Sequence, residues 1–392
     1  MTSLRILYNH RTLADGAEGV HIGEMVNAFQ LLGNTVEVVC PGGHSRARGE
    51  SSTDAALISR FKHLMPKCLF SLAQILYNVK SYQRVVEAID RFCPDFLYER
   101  YACFNYGGIK AARERGLPII VEFNTPYSIA WARYDKLYFR RTASRIERQI
   151  VDLADLVVTV STALKQILID QGVPGDKILV TPNAINPEYL KSVRPGTVRQ
   201  QYGLQDRTVV GFVGSLRSWH GIDLLMAVIP SVLRVNPRCH FLIVGTGELA
   251  DQFRNHIRRC QLETNVTFTG RVPHERVLDY VEAMDIALMP NSNEYGSPMK
   301  VFEYMAMGKA TIAPRLGPLE EIITHDQTGV LVEPGNAEVL TDAICRLSFD
   351  RNLRNTLGDA AHSHVLANHT WQINAQRVLA SVLSLPGTVV PS

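Results

Sequence analysis

Lys300 and Glu303 stand three residues apart in Gly296-Ser297-Pro298-Met299-Lys300-Val301-Phe302-Glu303-Tyr304, where a small turn runs into a helical pattern. The first turn of a helix carries backbone N–H groups without intrahelical partners and a partial positive charge, so it seats an anion. Lys300 adds a full charge at that seat. Glu303 lies on the same face and can accept hydrogen bonds from sugar hydroxyls. A phosphate and a polyol recognised side by side suggest a nucleotide sugar. Taken singly, a helix-start carboxylate and a solvated lysine are the simpler readings of these two residues. Matching motifs at other strand ends shift the balance.

Asp15-Gly16-Ala17-Glu18-Gly19-Val20-His21 follows the first strand-like run. Its glycines, Gly19 included, permit a tight turn and close approach of a ligand to the backbone. Ile22, Met25, Val26, Phe29 and Leu32 then recur at helical spacing, which leaves His21 off the apolar stripe. The spacing is not Gly-x-Gly-x-x-Gly, so a dinucleotide site is a weak reading. In Gly214-Ser215-Leu216-Arg217-Ser218-Trp219-His220-Gly221, Arg217 can grip a diphosphate through two parallel hydrogen bonds, and His220 can donate to the same group. Gly245-Thr246-Gly247 is a further glycine turn, and Val272 can frame a flat base. Glu122 and Asn124 end a strand of the N-terminal half and are candidates for contact with an acceptor. Asp-x-Asp and His/Cys clusters are absent, so neither a metal nor another cofactor is expected. Positive side chains and helix N–H groups must then offset the charge of a leaving phosphate. No nucleophile–base pair for a covalent intermediate stands out.

Strands must deliver these loops to one edge. Apolar runs at 4–8, 36–40, 96–98, 119–122 and 156–160 alternate with helix-length segments. A second series follows at 209–213, 240–244, 266–269, 286–289, 311–313 and 330–332. Continuous rather than alternating apolar runs predict strands buried on both faces, and strand–helix–strand alternation predicts parallel sheets. The expected architecture is α/β, with two Rossmann-like domains facing across a cleft. Periodicity fails over 186–206, which sets the domains at 1–190 and 205–371. A C-terminal helix over about 372–385 is expected to rejoin the first domain.

Bulk properties exclude several classes. A balance of 41 Lys and Arg against 38 Asp and Glu, +3 overall, is too mild to argue for nucleic acid. No run of about 18 apolar residues exists, and Met1 to Tyr8 enters a strand rather than a signal peptide. Seven scattered cysteines without Cys-x-x-Cys read as reduced thiols of a cytoplasmic protein.

Over most of its length the chain resembles the family 4 glycosyltransferases of the GT-B fold. The resemblance rests on Val160-Ser161, Lys177-Ile178-Leu179-Val180-Thr181-Pro182-Asn183, Val213-Gly214-Ser215, Val244-Gly245-Thr246-Gly247, Ser297 to Gly308 and Gly329-Val330-Leu331-Val332. Ala17-Glu18-Gly19-Val20-His21 is similar to bacterial exopolysaccharide and lipid-linked glycan enzymes. The resemblance implies a nucleotide diphosphate sugar held mainly by the second domain. Glu303 would bind ribose hydroxyls, and Lys300 with the N–H groups around Ser297 and Met299 would face the diphosphate. Arg271 and Val272 would flank the base, while Asn183 and the Gly19 loop would lie near the reaction centre. It also implies transfer with retention, the leaving phosphate taking the acceptor proton.

The chain departs from the family pattern at three places. Tyr295 stands where the first of two family glutamates is usual, and the nearest acid, Glu294, is one residue earlier. Ser215 stands in place of a common arginine and His220 in place of a common lysine. If His220 does the lysine's work, donor affinity falls as pH rises past the imidazole pKa.

Residues 55–86 contain Arg60, Lys62, Lys67, Lys80 and Arg84 and no acid, with Leu69, Phe70, Leu72, Ile75, Leu76 and Val79 among them. Such a segment can rest on an anionic membrane, giving a peripheral protein of the inner plasma-membrane face, and meet a lipid-linked, glycan or small-molecule acceptor. An ordinary helix with a basic rim is the competing reading. A second basic group holds Arg133, Lys136, Arg140, Arg141, Arg145 and Arg148, diluted by Asp135 and Glu147. Two other functions suit the same fold. A nucleotide-sugar epimerase would turn over without acceptor. A non-catalytic nucleotide-sugar-binding protein would bind without transfer.

Overall fold

The computed structural model describes residues 3–12, 16–41, 43–45, 67–129 and 138–385. The chain divides into two compact units, Met1–Pro182 with Trp371–Ser392, and Asn183–Thr370.

The first unit runs β1 (Arg5–Asn9), α1 (Ala17–Leu31), β2 (Thr35–Cys40), β3 (Gly43–Ser45), α2 (Lys67–Phe92), β4 (Phe96–Arg100), α3 (Gly107–Glu114), β5 (Ile119–Phe123), α4 (Arg140–Leu153), β6 (Leu156–Thr159), α5 (Thr162–Asp170) and β7 (Ile178–Val180). Its sheet has the order β3-β2-β1-β4-β5-β6-β7, parallel throughout except that β3 lies antiparallel to β2. β5 is buried along its whole length, as its apolar run predicts, although Glu122 sits within it. Tyr8 of β1 stacks on its register partner Tyr98 of β4 at 5.0 Å, and Phe29 of α1 meets Tyr98 edge-on. The last helix of the chain, Trp371–Leu383, belongs to this unit and packs on α1.

In the second unit the order is α6 (Thr197–Tyr202), β8 (Thr208–Val213), α7 (Ile222–Val235), β9 (Cys239–Val244), α8 (Ala250–Arg259), β10 (Val266–Gly270), α9 (Val277–Glu282), β11 (Ile286–Leu288), α10 (Met299–Ala306), β12 (Ala310–Pro314), α11 (Gly317–Glu320), β13 (Val330–Val332), α12 (Ala337–Phe349) and α13 (Arg351–Asn368). Its sheet is wholly parallel with the order β10-β9-β8-β11-β12-β13. Phe212, Phe241, Ile243 and Leu288 from the strands pack against Leu225 and Ile229 of α7. Each such side chain contributes roughly 1.5–3 kcal/mol on burial. On the other side Val301, Phe302 and Met305 anchor α10 against Ile322 and Leu331.

In both sheets the strand order reverses direction, between β1 and β4 in one and between β8 and β11 in the other. Ligands of such sheets bind beyond the carboxyl ends of the strands at that reversal. Helix starts differ in a way that bears on this. Ser161, Asn336 and Asp350 cap α5, α12 and α13 by accepting from Leu164, Val339 and Leu353 N–H groups at 3.0, 3.1 and 2.8 Å. α10 begins after Pro298 with no side-chain cap; the Val301 N–H bonds the Pro298 carbonyl at 3.1 Å, and the N–H groups of Met299 and Lys300 have no intrahelical acceptor.

Candidate functional site

The second unit gathers its polar residues at the β8–β11 reversal. Lys300 occupies the first turn of α10. Its Nζ is shut off from solvent and makes no hydrogen bond. The ammonium lies 4.6 Å from the Phe212 ring centroid and directly against Gly214, where a Cβ would stand 2.5 Å from it. Only glycine at 214 leaves that space. Gly245 supports the same spot, since a Cβ there would run into the Gly214 carbonyl, and Gly247 packs on the Leu216 backbone. Tyr304 ties α10 to the end of β8 by accepting from the Val213 N–H at 2.8 Å.

Burial drives the Lys300 ammonium down to about 7, against the pull of Glu303. Burial raises the Glu303 carboxyl, with His274 and Lys300 opposing. Glu303 and Lys300 therefore share one electrostatic environment, as their spacing predicts. Arg271 is exposed and Val272 half-buried, following β10, with Val272 packed against the β9 and α9 side chains. Arg217 is exposed on the loop after β8.

In the free protein His220 is not a charged stand-in for a lysine. Its Nδ1 donates to the Ser215 carbonyl at 2.6 Å. Burial, with the charges of Lys300 and Arg217, takes its pKa down to about 4, although the Ser215 carbonyl opposes this. The ring is neutral at pH 7, and its other nitrogen then has no proton to give a phosphate. In the free protein the titration of His220 therefore falls below the neutral range in which a loss of donor affinity was expected.

The loop before α10 is built by Asn293, which the sequence did not single out, together with Ser297 and Asn183. Asn293 Oδ1 accepts from the N–H groups of Tyr295 and Gly296, an Asx turn that an Asn three residues before a Gly signals. Ser297 is buried. Its Oγ accepts from the Asn183 N–H at 3.0 Å, and Asn183 Nδ2 donates to the Ser297 carbonyl. Asn183, expected on the acceptor side, thus belongs to the second unit and pins the start of α10. Met299 opens the helix, and Glu294 is exposed on the turn beside half-buried Tyr295.

The first unit has its own polar cluster at the carboxyl ends of β1, β4 and β5. Glu122 Oε1 is contacted by His21 Nε2 at 2.9 Å, by Arg100 and by Asn124 Nδ2, while Oε2 accepts from the Tyr8 hydroxyl at 3.2 Å. Burial works to raise this carboxyl, but the charges of His21 and Arg100 win and hold it well below the usual carboxylate range. Both Glu122 oxygens thus hold neighbouring side chains in place, Oε1 through three contacts and Oε2 through the Tyr8 hydroxyl alone. Asn124 retains an unpartnered, buried Oδ1, and His21 stacks edge-on to Trp371 at 4.6 Å. Gly19 lies in the first turn of α1, its N–H bonded to the Gly16 carbonyl. Arg100 and Tyr8 went unnoticed because both read as ordinary strand residues. Beside them, Asn9 and Asn105 each donate to Glu99 at 2.6 Å, and burial lifts that carboxyl to about 8.

Among the described residues no group of three His, Cys, Asp or Glu side chains is placed to hold a metal ion. No described helix is long and apolar enough to cross a membrane.

Known proteins resemble the chain in sequence and in fold. The family described as glycosyltransferase family 4 matches residues 17–189, and the family of glycosyl transferases group 1 matches 207–350. A GDP-mannose-dependent alpha-mannosyltransferase of Mycobacterium tuberculosis is 27% identical over 331 residues, 83% of this chain and 82% of that one. A glycosyltransferase of Methanocaldococcus jannaschii is 23% identical over 229 residues, and the chain spans only 58% of its length. The crystal structure of Anabaena HepE in complex with UDP superposes with a TM-score of 0.72 at 18% identity, covering 97% of this chain and 100% of that one. That likeness shows a GT-B fold. Between them the two family matches take in both units and the loops that follow β8, β10 and β11, and the chain belongs to the family 4 glycosyltransferases.

Proposed function

We propose that the protein transfers a glycosyl group from a nucleoside diphosphate sugar to a hydroxyl acceptor with retention of configuration. The observation that carries this reading is Lys300, a sealed ammonium without a hydrogen-bond partner at the uncapped start of α10. A diphosphate supplies what that position lacks. Glu303 then takes ribose hydroxyls, the N–H groups near Met299 take phosphate oxygens, and Arg271 with Val272 flanks the base. Arg217 reaches the diphosphate from the loop after β8, and Glu294 is the candidate contact to the donor sugar. His220 holds the Ser215 loop as a neutral donor. On the first unit, His21, the Gly19 loop and Asn124 face the acceptor, with Glu122 and Arg100 positioning His21. UDP in the Anabaena structure and GDP-mannose for the mycobacterial relative make both donor types worth testing.

In the reaction the anomeric carbon–oxygen bond to the diphosphate breaks as the acceptor oxygen bonds to the same face. The acceptor proton passes to the departing phosphate oxygen, whose charge Lys300 and the α10 N–H groups stabilise. We assign the reaction to the cytoplasm and to synthesis of a cell-surface polysaccharide or glycoconjugate. A thermal-shift screen of UDP- and GDP-sugars finds the donor. Transfer of the labelled sugar to cell extract, followed by NMR of the product's anomeric centre in the presence of EDTA, tests the rest. Retained configuration and undiminished turnover are expected. An inverted product overturns the stereochemistry, loss in EDTA overturns the metal-free reading, and donor interconversion without acceptor indicates an epimerase.

A further inference from the structure

Helix α2 presents Leu69, Leu72, Leu76 and Val79 to solvent at 43–65% exposure, while Val85 and Ala88 farther along are fully buried. At 100° per residue the four exposed side chains fall within roughly an 80° arc, so they form one stripe. Lys80 is exposed at its border, and no acid occurs from 55 to 86. Ile75, at the other border, packs in a small cluster with Ala143 and Ile146 of α4, which makes α4 the neighbour of the stripe. α4 opens with exposed Tyr138 and Phe139 before it, followed by exposed Arg140, Arg141 and Arg145. None of these three arginines forms an ion pair among the described residues, unlike Arg148, which pairs with Asp152. With Ile129, this region holds seven of the thirteen exposed large hydrophobic side chains among the described residues. Scattered surface hydrophobics need no explanation, but a concentration of this kind does.

The composition of the patch decides what covers it. Aliphatic side chains on a helix, aromatics at its flank and unpaired arginines beside them suit the boundary between lipid headgroups and acyl chains. No acid occurs from 55 to 86, and on α4 Glu147 is buried and Asp152 pairs with Arg148, so the exposed cations suit an anionic lipid surface better than a neutral one. Arg60, Lys62, Arg133 and Lys136, which first suggested a basic surface, lie outside the described residues, as does the Lys67 side chain, so the argument stands on α2 and α4 alone.

We propose that the α2–α4 face of the first unit docks on an anionic lipid bilayer, its aliphatic stripe entering the headgroup boundary and its arginines meeting lipid phosphates. Flotation of the full chain with vesicles of phosphatidylcholine containing about a third phosphatidylglycerol tests this, with pure phosphatidylcholine as control. Binding to the anionic vesicles and little to the neutral ones is expected, falling steeply at high salt. A cation near such a surface is worth about fivefold in partitioning, so R140Q/R141Q/R145Q should lose on the order of 100-fold. L72E/L76E should also release the protein, with nucleotide-sugar thermal shifts unchanged in both variants as the check on folding. No binding by the parent chain overturns the proposal, as does binding that either variant leaves intact. A concentration-dependent dimer that L72E/L76E dissolves would likewise overturn it, by assigning the stripe to a second copy.

Discussion

A buried ammonium without a partner destabilises a folded chain, and Lys300 is such a group. Its value near 7, far below the ordinary 10.5, means that the unfolded chain holds that proton more tightly. The free protein therefore loses stability as pH falls from the ordinary lysine value toward 7. Lys300→Met keeps the length of the side chain and removes the charge. In urea unfolding at pH 7 without ligand, the variant should be more stable by roughly 1–4 kcal/mol. It should also lose the stabilisation that nucleotide sugars give the parent. A variant less stable than the parent would mean that the ammonium has a structural role. His220 and Glu122 show where residue type misleads. A histidine or glutamate at a strand end reads as an open ligand contact. Only the Ser215 carbonyl, and the His21, Arg100, Tyr8 and Asn124 groups, reveal that much of their hydrogen-bonding capacity is spent within the fold.

Among the elements, α10 and the turn before it do the positioning. Asn293 holds the Tyr295 and Gly296 N–H groups, Asn183 pins Ser297, and Tyr304 fastens the helix to β8. Asn293→Ala removes the acceptor for two turn N–H groups in a half-buried loop. Donor affinity should fall on the order of tenfold while unfolding stability drops by less than about 2 kcal/mol, and Asn293→Asp should restore the affinity. Calorimetric titration with the nucleotide sugar checks this, and an unchanged dissociation constant for Asn293→Ala would contradict it. The elements themselves were largely legible in the chain. All six strands of the second sheet, β8–β13, and five of the first, β1, β2, β4, β5 and β6, follow from continuous apolar runs. β3, Gly43-His44-Ser45, contains no apolar run, whereas β7, Ile178-Leu179-Val180, is an apolar run as short as β11 and β13 that the strand pattern did not include. The Asn293 and Asn183 bonds depend on residues far apart or on local turn geometry, which apolar periodicity does not report.

At the scale of the molecule, the same design appears twice, a parallel sheet whose strand order reverses, with polar residues at the carboxyl ends beside the reversal. Alternating strands and helices announce that design. The division of the chain at Pro182/Asn183 and again at Thr370/Trp371 is set by which sheet each segment packs on, and composition alone puts the first break some residues later. The two clusters differ in charge state. The carboxylate of the first unit is ionised and held by four side chains, whereas the ammonium of the second is sealed and unbonded. That contrast supports the proposed donor seat in the second unit, and it yields the most direct test. The dissociation constant of the donor nucleotide sugar should be measured by calorimetry for the parent and Lys300→Met at pH 6.5, 7.5 and 8.5. A sugar diphosphate carries no titrating proton in this range, so any trend belongs to the protein. Because Lys300 loses its proton near pH 7 when no donor is bound, parental affinity should weaken on the order of tenfold from the lowest to the highest pH. The variant should bind about 100-fold more weakly at pH 6.5, with no dependence on pH. Equal affinity of the two proteins, or a parental affinity flat across the range, would contradict the assignment of Lys300 to the donor diphosphate.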